Sequence, residues 1–258
     1  MISISSEVLQ TWINGLLLPL TRVLGLIAIA PVFSHAAIPP TIKLSLGIVI
    51  ALAIAPMLPP LAAFNIISLE GLLVLVQQLI IGIAMGFTMR LIFAAIELAG
   101  QISGATMGLG FASFYDPQSQ GQTIAVSQLF TIIATLLFLS INGHLMLILA
   151  LAESFTNLPI VIDPAHGLHL INIVTWAEII FSAGLHLSLP IIAALLMTNL
   201  ALGILSRSAP QLNLFGIGFP ITIGIGFIVI ALAMPRMELP LEQLINEGLK
   251  AINHLQAG

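Results

Sequence analysis

Apolar residues fall into six long runs along the chain, at about 12–33, 42–63, 69–98, 124–152, 176–206 and 212–235. Each run approaches or exceeds the roughly 20 residues that a helix needs to cross a bilayer. Because only helices and closed barrels satisfy their backbone hydrogen bonds in lipid, these runs predict helices. The expected fold class is therefore all-α, a polytopic membrane bundle of about six long helices.

Several of these runs are too long or too interrupted to be simple spans. The runs at 69–98 and 176–206 reach about thirty residues, and prolines fall within runs at Pro19, Pro56, Pro190 and Pro220. Kinked, tilted or protein-enclosed helices are expected at such positions. Most connections are short, so residues 1–258 are expected to form a single bundle.

Composition supports the membrane assignment. Hydrophobic residues make up 59% of the chain and charged residues 6%, against roughly 25% charged in soluble domains. The segment MISISSEVLQTW lacks Lys and Arg, so the first run is expected to be a retained helix. The chain has no cysteine, which excludes disulfides and cysteine catalysis. A net charge of −4 gives no indication of nucleic-acid binding.

Residues 107–122, MGLGFASFYDPQSQGQ, interrupt this apolar pattern. Gly108 and Gly110 favour a flexible backbone, and Pro117 removes an N–H donor, so a helix is not expected here. The bulky residues of the stretch are Phe111, Phe114 and Tyr115. One interpretation is an ordinary solvated loop. The aromatic residues and glycines at its apolar end favour a loop that lies against other helices.

Glycines recur at four-residue intervals in the third run. Gly82 and Gly86 form one pair, and Gly100, Gly104 and Gly108 continue the spacing. This spacing allows helices to approach one another closely, so we expect close helix packing along this face.

The charged residues Arg22, Arg90 and Glu97 lie within apolar runs. A charge near the centre of a membrane helix costs roughly 2.5–3.5 kcal/mol, so both arginines are expected to be buried in protein and not to face lipid. Glu97 lies two turns after Arg90, on the same helix face. A proton or ion relay is one interpretation. Polar contacts between helices or partner subunits are the other, and the scattered positions favour it.

Catalytic and metal motifs are few. The sequence has no HExxH, Walker or GxSxG motif, so no enzymatic activity and no cofactor are expected. The segment DPAHGLH contains Asp163, His166 and His169, but a single His-x-x-His beside an acid is more typical of a solvated loop than of a metal site.

The segment LALGILSRSAPQLNLFGIGFPI has the pattern of a helical hairpin with a polar turn. It resembles the signature of the FliR family of flagellar export proteins, whose injectisome relatives are called SctT. The residues that carry it are Arg207, Pro210, Gln211, Asn213 and Phe215. TRVLGLIAIAPVFS, ELAGQISGATMGLGFASFYDP and INGHLMLILALAESFTNLP resemble further family segments in the same order. The resemblance covers essentially the whole chain.

This resemblance implies a subunit of the export gate of a type III secretion apparatus. FliR-like proteins join FliP and FliQ subunits in a closed helical ring in the bacterial inner membrane, raised toward the periplasm within the flagellar basal body. Residues 1–155 correspond to a FliP-like part, and residues 176–258 to a FliQ-like hairpin with a C-terminal amphipathic helix. The resemblance further implies FlhA-like and FlhB-like neighbours, unfolded exported proteins and membrane lipid as partners, and no nucleic acid.

By the same resemblance, residues 106–122 match a plug that obstructs the channel until substrate passes. The implied plug residues are Met107, Gly108, Gly110, Phe111, Phe114, Tyr115, Asp116 and Pro117. Three alternatives stay open: an injectisome subunit of the same family, a small-solute transporter that uses Arg90 and Glu97, and an intramembrane enzyme. The transporter would be expected to contain an inverted repeat, which the sequence does not display.

Overall fold

A computed structural model of the protein describes residues 6–58, 68–111, 125–160, 170–208 and 214–256. The long elements within these ranges are α1 (Ser6–Ile29), α2 (Pro40–Ile54), α3 (Leu69–Thr106), α4 (Ala125–Ser140), α5 (Gly143–Asn157), α6 (Leu170–Trp176), α7 (Ile179–Ser208) and α8 (Leu214–Gln256). Short 3-10 turns at Ala55–Met57 and Leu109–Phe111 follow α2 and α3. No strand occurs in these ranges, and the prediction of an all-α fold is confirmed.

The predicted apolar runs correspond to helices. Four segments of the described chain are long and apolar enough to cross a membrane: Pro40–Met57, Leu69–Thr106, Ile173–Ser208 and Gly218–Leu255. Helices α4 and α5 provide a fifth if this broken pair is counted as one span. The apolar part of α1, Ile13–Ile29, is a shorter helix. The chain is an integral membrane protein, although its helices do not divide into six equal spans.

Prolines and one asparagine determine where helices break and where they continue. The run 42–63 ends as a helix at Ile54, where Pro56 lies in a 3-10 turn. The run 124–152 breaks at Asn142, whose φ of 58° is left-handed. By contrast, α8 continues through Pro235 and Pro240 to Gln256. The C-terminal amphipathic segment is therefore the end of a long helix, in which Leu241, Leu244, Ile245 and Ile252 are buried and Leu249 is half-buried.

The helices form two compact units, each assembled from segments that are separate in sequence. One unit contains Met1–Arg90, Asn142–Ala177 and Asn246–Gly258, and the other contains Leu91–Ile141 and Glu178–Ile245. We refer to them as the Arg22 unit and the Met107 unit.

In the Arg22 unit, α1 packs against α2 and against the first part of α3. A Cβ atom at Gly82 would overlap the carbonyl oxygen of Arg22, and one at Gly86 would lie 2.9 Å from the carbonyl oxygen of Leu26. Because successive α3 glycines meet successive turns of α1, the two helices run in the same direction. The close packing predicted for Gly82 and Gly86 is confirmed.

In the Met107 unit, the second part of α3 contacts both α4 and α7. A Cβ atom at Gly100 would overlap the Cα atom of Ser127 on α4. A Cβ atom at Gly184 of α7 would lie 3.0 Å from the carbonyl oxygen of Ala95. The Ser127 hydroxyl also donates to the carbonyl oxygen of Glu97 at 2.9 Å. The close packing predicted for Gly100 is thus confirmed as well.

Large apolar side chains are exposed along most of the long helices. Val49 on α2 is 63% exposed, Leu136 on α4 is 62% exposed and Phe181 on α7 is 73% exposed. Contiguous apolar surface of this kind marks contact with lipid or with other proteins. These faces are therefore built for a non-aqueous environment.

Candidate functional site

The candidate site begins where α3 ends and the predicted plug loop starts. The Met107 N–H donates to the Ser103 carbonyl and the Gly108 N–H to the Ala105 carbonyl, each at 3.0 Å. Gly108 then has a φ of +90°, a value that glycine adopts without a steric penalty. This glycine ends the helix and turns the chain into the loop.

Met107 is anchored on α8. Its side chain is fully buried, and a Cβ atom at Gly226 would lie 2.5 Å from its Cγ atom. The Thr222 hydroxyl shares its single proton between the Phe219 carbonyl oxygen at 3.0 Å and the Met107 carbonyl oxygen at 3.3 Å. The first residue of the predicted plug is therefore held by packing and by a hydrogen bond.

Gly108 lies against an aromatic ring of the same helix. A Cβ atom at Gly108 would lie 2.6 Å from the Cε1 atom of Phe219. Gly110, two residues later, has no neighbour within 4 Å of such an atom. Contact with Phe219 therefore restricts substitution at Gly108, whereas a Cβ atom at Gly110 would meet none of the described residues.

A cavity of about 360 Å³ adjoins this root within the Met107 unit. Three chain segments line it. They are Ala105–Gly108 at the end of α3, Asn199, Leu202 and Gly203 on α7, and Gly218, Phe219 and Thr222 on α8. The cavity thus joins the glycine-rich segment to the two helices of the hairpin that contains the family signature.

The remaining plug residues are only partly described. Phe111 ends the 3-10 turn Leu109–Phe111. Phe114, Tyr115, Asp116 and Pro117 lie outside the described residues. Of the predicted plug residues, the structure therefore describes only Met107, Gly108, Gly110 and the backbone of Phe111.

The signature turn is described at its two flanks. Arg207 lies exposed in the last turn of α7, where a cation is favourable beside the helix C-terminus. Phe215 is the second residue of α8. Pro210, Gln211 and Asn213 lie outside the described residues, as do Asp163, His166 and His169 of the histidine-containing loop.

Arg22 is fully buried in the Arg22 unit, as predicted. Its guanidinium donates to the carbonyl oxygens of Ser154 and Leu158 at 2.8 and 2.9 Å, and to the Ser154 hydroxyl at 2.9 Å. Its Nε donates to the Gln78 side-chain oxygen at 2.8 Å. The guanidinium carbon also lies 4.1 Å from the ring centroid of Phe155. Among the described residues, these acceptors are all neutral.

The Arg22 contacts place a cation at the C-terminal end of α5. Ser154 lies in the last turn of α5, and Leu158 is the residue that caps it. Carbonyl oxygens at a helix C-terminus have no partner within the helix and carry the negative end of its dipole. Arg22 thus supplies, from α1, the positive charge that α5 lacks in its own last turn.

Arg90 and Glu97 differ from Arg22. Arg90 is exposed in the single chain, so its burial against other protein stays a prediction. Glu97 is half-buried and accepts a hydrogen bond from the Gln101 amide at 3.3 Å. The two residues that could form a relay therefore occupy unlike surroundings.

Sequence reasoning did not identify the cavity or the partners of Arg22. Phe219, Thr222 and Gly226 are a turn apart on α8, yet this spacing carries no sign that they meet Met107. Leu158 acts through its backbone carbonyl, which every residue possesses, and Ser154 through its carbonyl and its hydroxyl. The available signals were Gln78, a polar residue in an apolar helix, and the glycines that flank the hairpin turn.

Comparison with known proteins gives a consistent result. The model of a family described as "Bacterial export proteins, family 1" matches residues 13–248. The flagellar biosynthetic protein FliR of Escherichia coli strain K12 is 43% identical over 247 residues, which cover 96% of this chain and 94% of that protein. The protein of the same name from Pectobacterium carotovorum subsp. carotovorum is 42% identical over the same proportions.

Similarity extends to distant bacteria. The flagellar biosynthetic protein FliR of Bacillus subtilis strain 168 is 25% identical over 244 residues, which cover 93% of this chain and 94% of that protein. Relatives match along almost their entire length, so similarity is not confined to one helix or motif. The chain belongs to the FliR family of bacterial export proteins and is an integral membrane component of the flagellar export apparatus.

Proposed function

We propose that this protein closes a hetero-oligomeric export gate formed with FliP-like and FliQ-like subunits in the bacterial inner membrane. Residues 1–155 take the place of a FliP-like subunit, and residues 176–258 take the place of a FliQ-like hairpin. The exposed apolar faces of α2, α4 and α7 support this proposal, because partner helices or lipid must cover them. FlhA-like and FlhB-like proteins adjoin this gate.

We further propose that residues 106–122 plug the channel of this gate. The observation that carries the proposal is the anchored root of the loop, where Met107 is buried against Gly226 and Thr222. A plug must resist displacement at its base while its far end yields to an unfolded polypeptide. The buried Met107 meets the first requirement, and the conformationally permissive residue Gly110 supports the second.

Closure by the loop would be physical and not chemical. Phe111, Phe114 and Tyr115 provide bulky apolar groups, and a hydrophobic constriction stops ions because water does not fill it. An exported chain displaces the loop without any bond being made or broken. On this proposal the protein is a structural gate component and not an enzyme.

A solute transporter has less support. It would need a polar pair at the membrane midplane, for which the sequence offered Arg90 and Glu97. Arg90 is exposed in the single chain, and Glu97 accepts a hydrogen bond from Gln101. Neither observation adds support to the interpretation of these residues as a relay.

The plug proposal is tested by replacing Phe111, Phe114 and Tyr115 with alanine in the assembled gate. We expect ion leak across the membrane to rise, because the apolar constriction is lost while the loop keeps its length. Ion-dependent growth defects or conductance in planar bilayers would measure the leak.

A matched control replaces Gln118, Gln120 and Gln122 of the same loop with alanine. This variant keeps the three aromatic residues and should stay as tight as the native gate. An aromatic-free gate that leaks no more than this control would contradict the plug proposal.

A further inference from the structure

We propose that the cavity beside Met107 is a binding site for apolar side chains of the exported polypeptide during passage through the gate. The proposal rests on the proposed function, since it requires that an unfolded chain passes this loop. It adds a site at which the passing chain is held, formed by the end of α3, α7 and α8.

The size of the cavity fits an aromatic or branched aliphatic side chain. Its volume is about 360 Å³. An apolar cavity of about 150 Å³ is already large enough to bind a benzene ring. The cavity therefore accepts one large side chain together with the adjoining peptide group.

The lining combines apolar walls with a few neutral polar groups. Leu202 and Phe219 provide apolar surface, and no formally charged residue occurs among the described lining residues. The Thr106 and Thr222 hydroxyls donate to carbonyl oxygens of the protein itself, so they present lone pairs to an occupant. Such a lining selects against charged side chains.

The side-chain amide of Asn199 can form hydrogen bonds with a peptide backbone. It lies exposed on the cavity wall, and its side-chain amide offers both a donor and an acceptor. A peptide group in an extended chain presents the same two functions. Asn199 can therefore pair with the backbone of any sequence while the cavity receives its apolar side chain.

The position of the cavity connects it to passage. Met107 and Gly108 belong both to its lining and to the root of the loop. Thirteen residues, 112–124, connect the turn at Leu109–Phe111 to the start of α4. An exported polypeptide that displaces this loop would pass the root of the loop, and the cavity adjoins that root. The proposed site therefore lies beside the path of the exported polypeptide.

Site-specific photocrosslinking in the assembled gate tests the proposal. A benzophenone amino acid is placed at Leu202, which lines the cavity, at Leu196, which lies exposed elsewhere on α7, or at Tyr115 in the loop. The probe is an exported protein stalled by a folded C-terminal domain. We expect crosslinks to this protein from positions 202 and 115 and not from position 196.

The stalled protein is prepared with either leucine and phenylalanine or serine in its channel segment. We expect the serine form to lower the yield at position 202 by about tenfold, the factor that corresponds to loss of one buried apolar side chain. Crosslinks from 115 but not 202 would overturn the cavity site and leave the gate standing. If neither position 202 nor position 115 crosslinks to the stalled protein, both the cavity site and the proposed gate are overturned. If position 202 crosslinks to the loop of this protein and not to the stalled protein, the proposed occupant is overturned.

A second pair of variants tests the site without a bulky probe in it. Gly203 lines the cavity, and a Cβ atom there would lie more than 4 Å from the described residues, so Gly203→Leu fills space without a clash of that atom with them. Gly224 on α8 has the same freedom but does not line the cavity, which makes Gly224→Leu its control. We expect Gly203→Leu to slow export of an apolar-rich reporter about tenfold at unchanged gate assembly. Equal export rates in the two assembled variants would overturn the proposal.

Discussion

Arg22 places a permanent charge at a position with no exposed surface. Desolvating an ion costs several kcal/mol unless good hydrogen bonds replace water. Here the replacement comes from the Ser154 and Leu158 carbonyls, the Gln78 amide and the face of Phe155. The residue therefore joins three segments of the chain, α1, α3 and the end of α5, and its role is structural.

Replacing Arg22 with methionine should destabilise the protein. The Gln78 side-chain oxygen and the Leu158 carbonyl oxygen would lose Arg22 as their hydrogen-bond donor. Each buried acceptor left without a donor lowers the free energy of unfolding by about 1–3 kcal/mol. We expect a lower thermal transition in detergent and less protein in the membrane. Arg90→Met is the matched control, because Arg90 is exposed, and its effect should stay within about 0.5 kcal/mol. Equal transitions for the two variants would contradict the structural role of Arg22.

Gly108 is the residue on which the direction of the loop depends. An alanine there would adopt left-handed backbone at a cost of about 1–2 kcal/mol and would press against the Phe219 ring. Gly108→Ala should therefore alter the loop root and reduce flagellar export, measured by motility in soft agar. The Cβ atom added by Gly110→Ala would lie more than 4 Å from the described residues, so this variant should leave motility near the native value. A motile Gly108→Ala strain would show that this geometry is not needed.

At the scale of elements, α3 is the organising helix. Its 38 residues would extend about 57 Å at the ideal rise, well beyond the roughly 30 Å hydrocarbon core of a bilayer. Its first part packs on α1 through Gly82 and Gly86, and its second part on α4 through Gly100. One helix thus contributes to both compact units and carries the loop at its end.

Gly82→Ala should disrupt the contact between α1 and α3. The added methyl group would overlap a backbone carbonyl of Arg22, which cannot rotate away, and overpacking of this kind costs about 1–3 kcal/mol. We expect a lower thermal transition and weaker assembly with partner subunits. Gly15→Ala on α1 adds the same group in open space and should be neutral or slightly stabilising. A Gly82→Ala protein as stable as this control would contradict close packing at Gly82.

Helices and their contacts could be predicted from the sequence where residue spacing or apolar composition determines them. The glycine spacing on α3 predicted close contact because small residues have few other reasons to recur every fourth position. The break at Asn142 was not predicted, although Asn-Gly is a turn signal. The continuation of α8 through Pro235 and Pro240 was not predicted either. If α8 ended at these prolines in apolar surroundings, more backbone N–H and C=O groups would lack hydrogen-bond partners. The helix therefore continues through both prolines.

At the scale of the whole molecule, the exposed apolar surface is the dominant property. Composition already required an integral membrane protein, and the family resemblance was carried by several segments in order. The sequence could not reveal which buried polar group meets which, because those pairings depend on the three-dimensional register of helices distant in sequence. The Arg22 contacts and the cavity beside Met107 are both of this kind.

The interleaving of the two units has a consequence for assembly. Each unit is built from segments distant in sequence, so neither folds before most of the chain has been inserted. Exposed apolar faces on α2, α4 and α7 then need partner helices or lipid. We expect the chain made without its partners to be poorly stable in mild detergent.

Native mass spectrometry after co-expression with the neighbouring FliP-like and FliQ-like proteins tests whether this chain is a gate subunit. The complexes are purified in mild detergent and compared with the chain expressed alone. We predict one copy of the chain within a larger hetero-oligomer, and little stable protein in its absence. A stable monomer or homo-oligomer that ignores both neighbours would contradict the proposed gate.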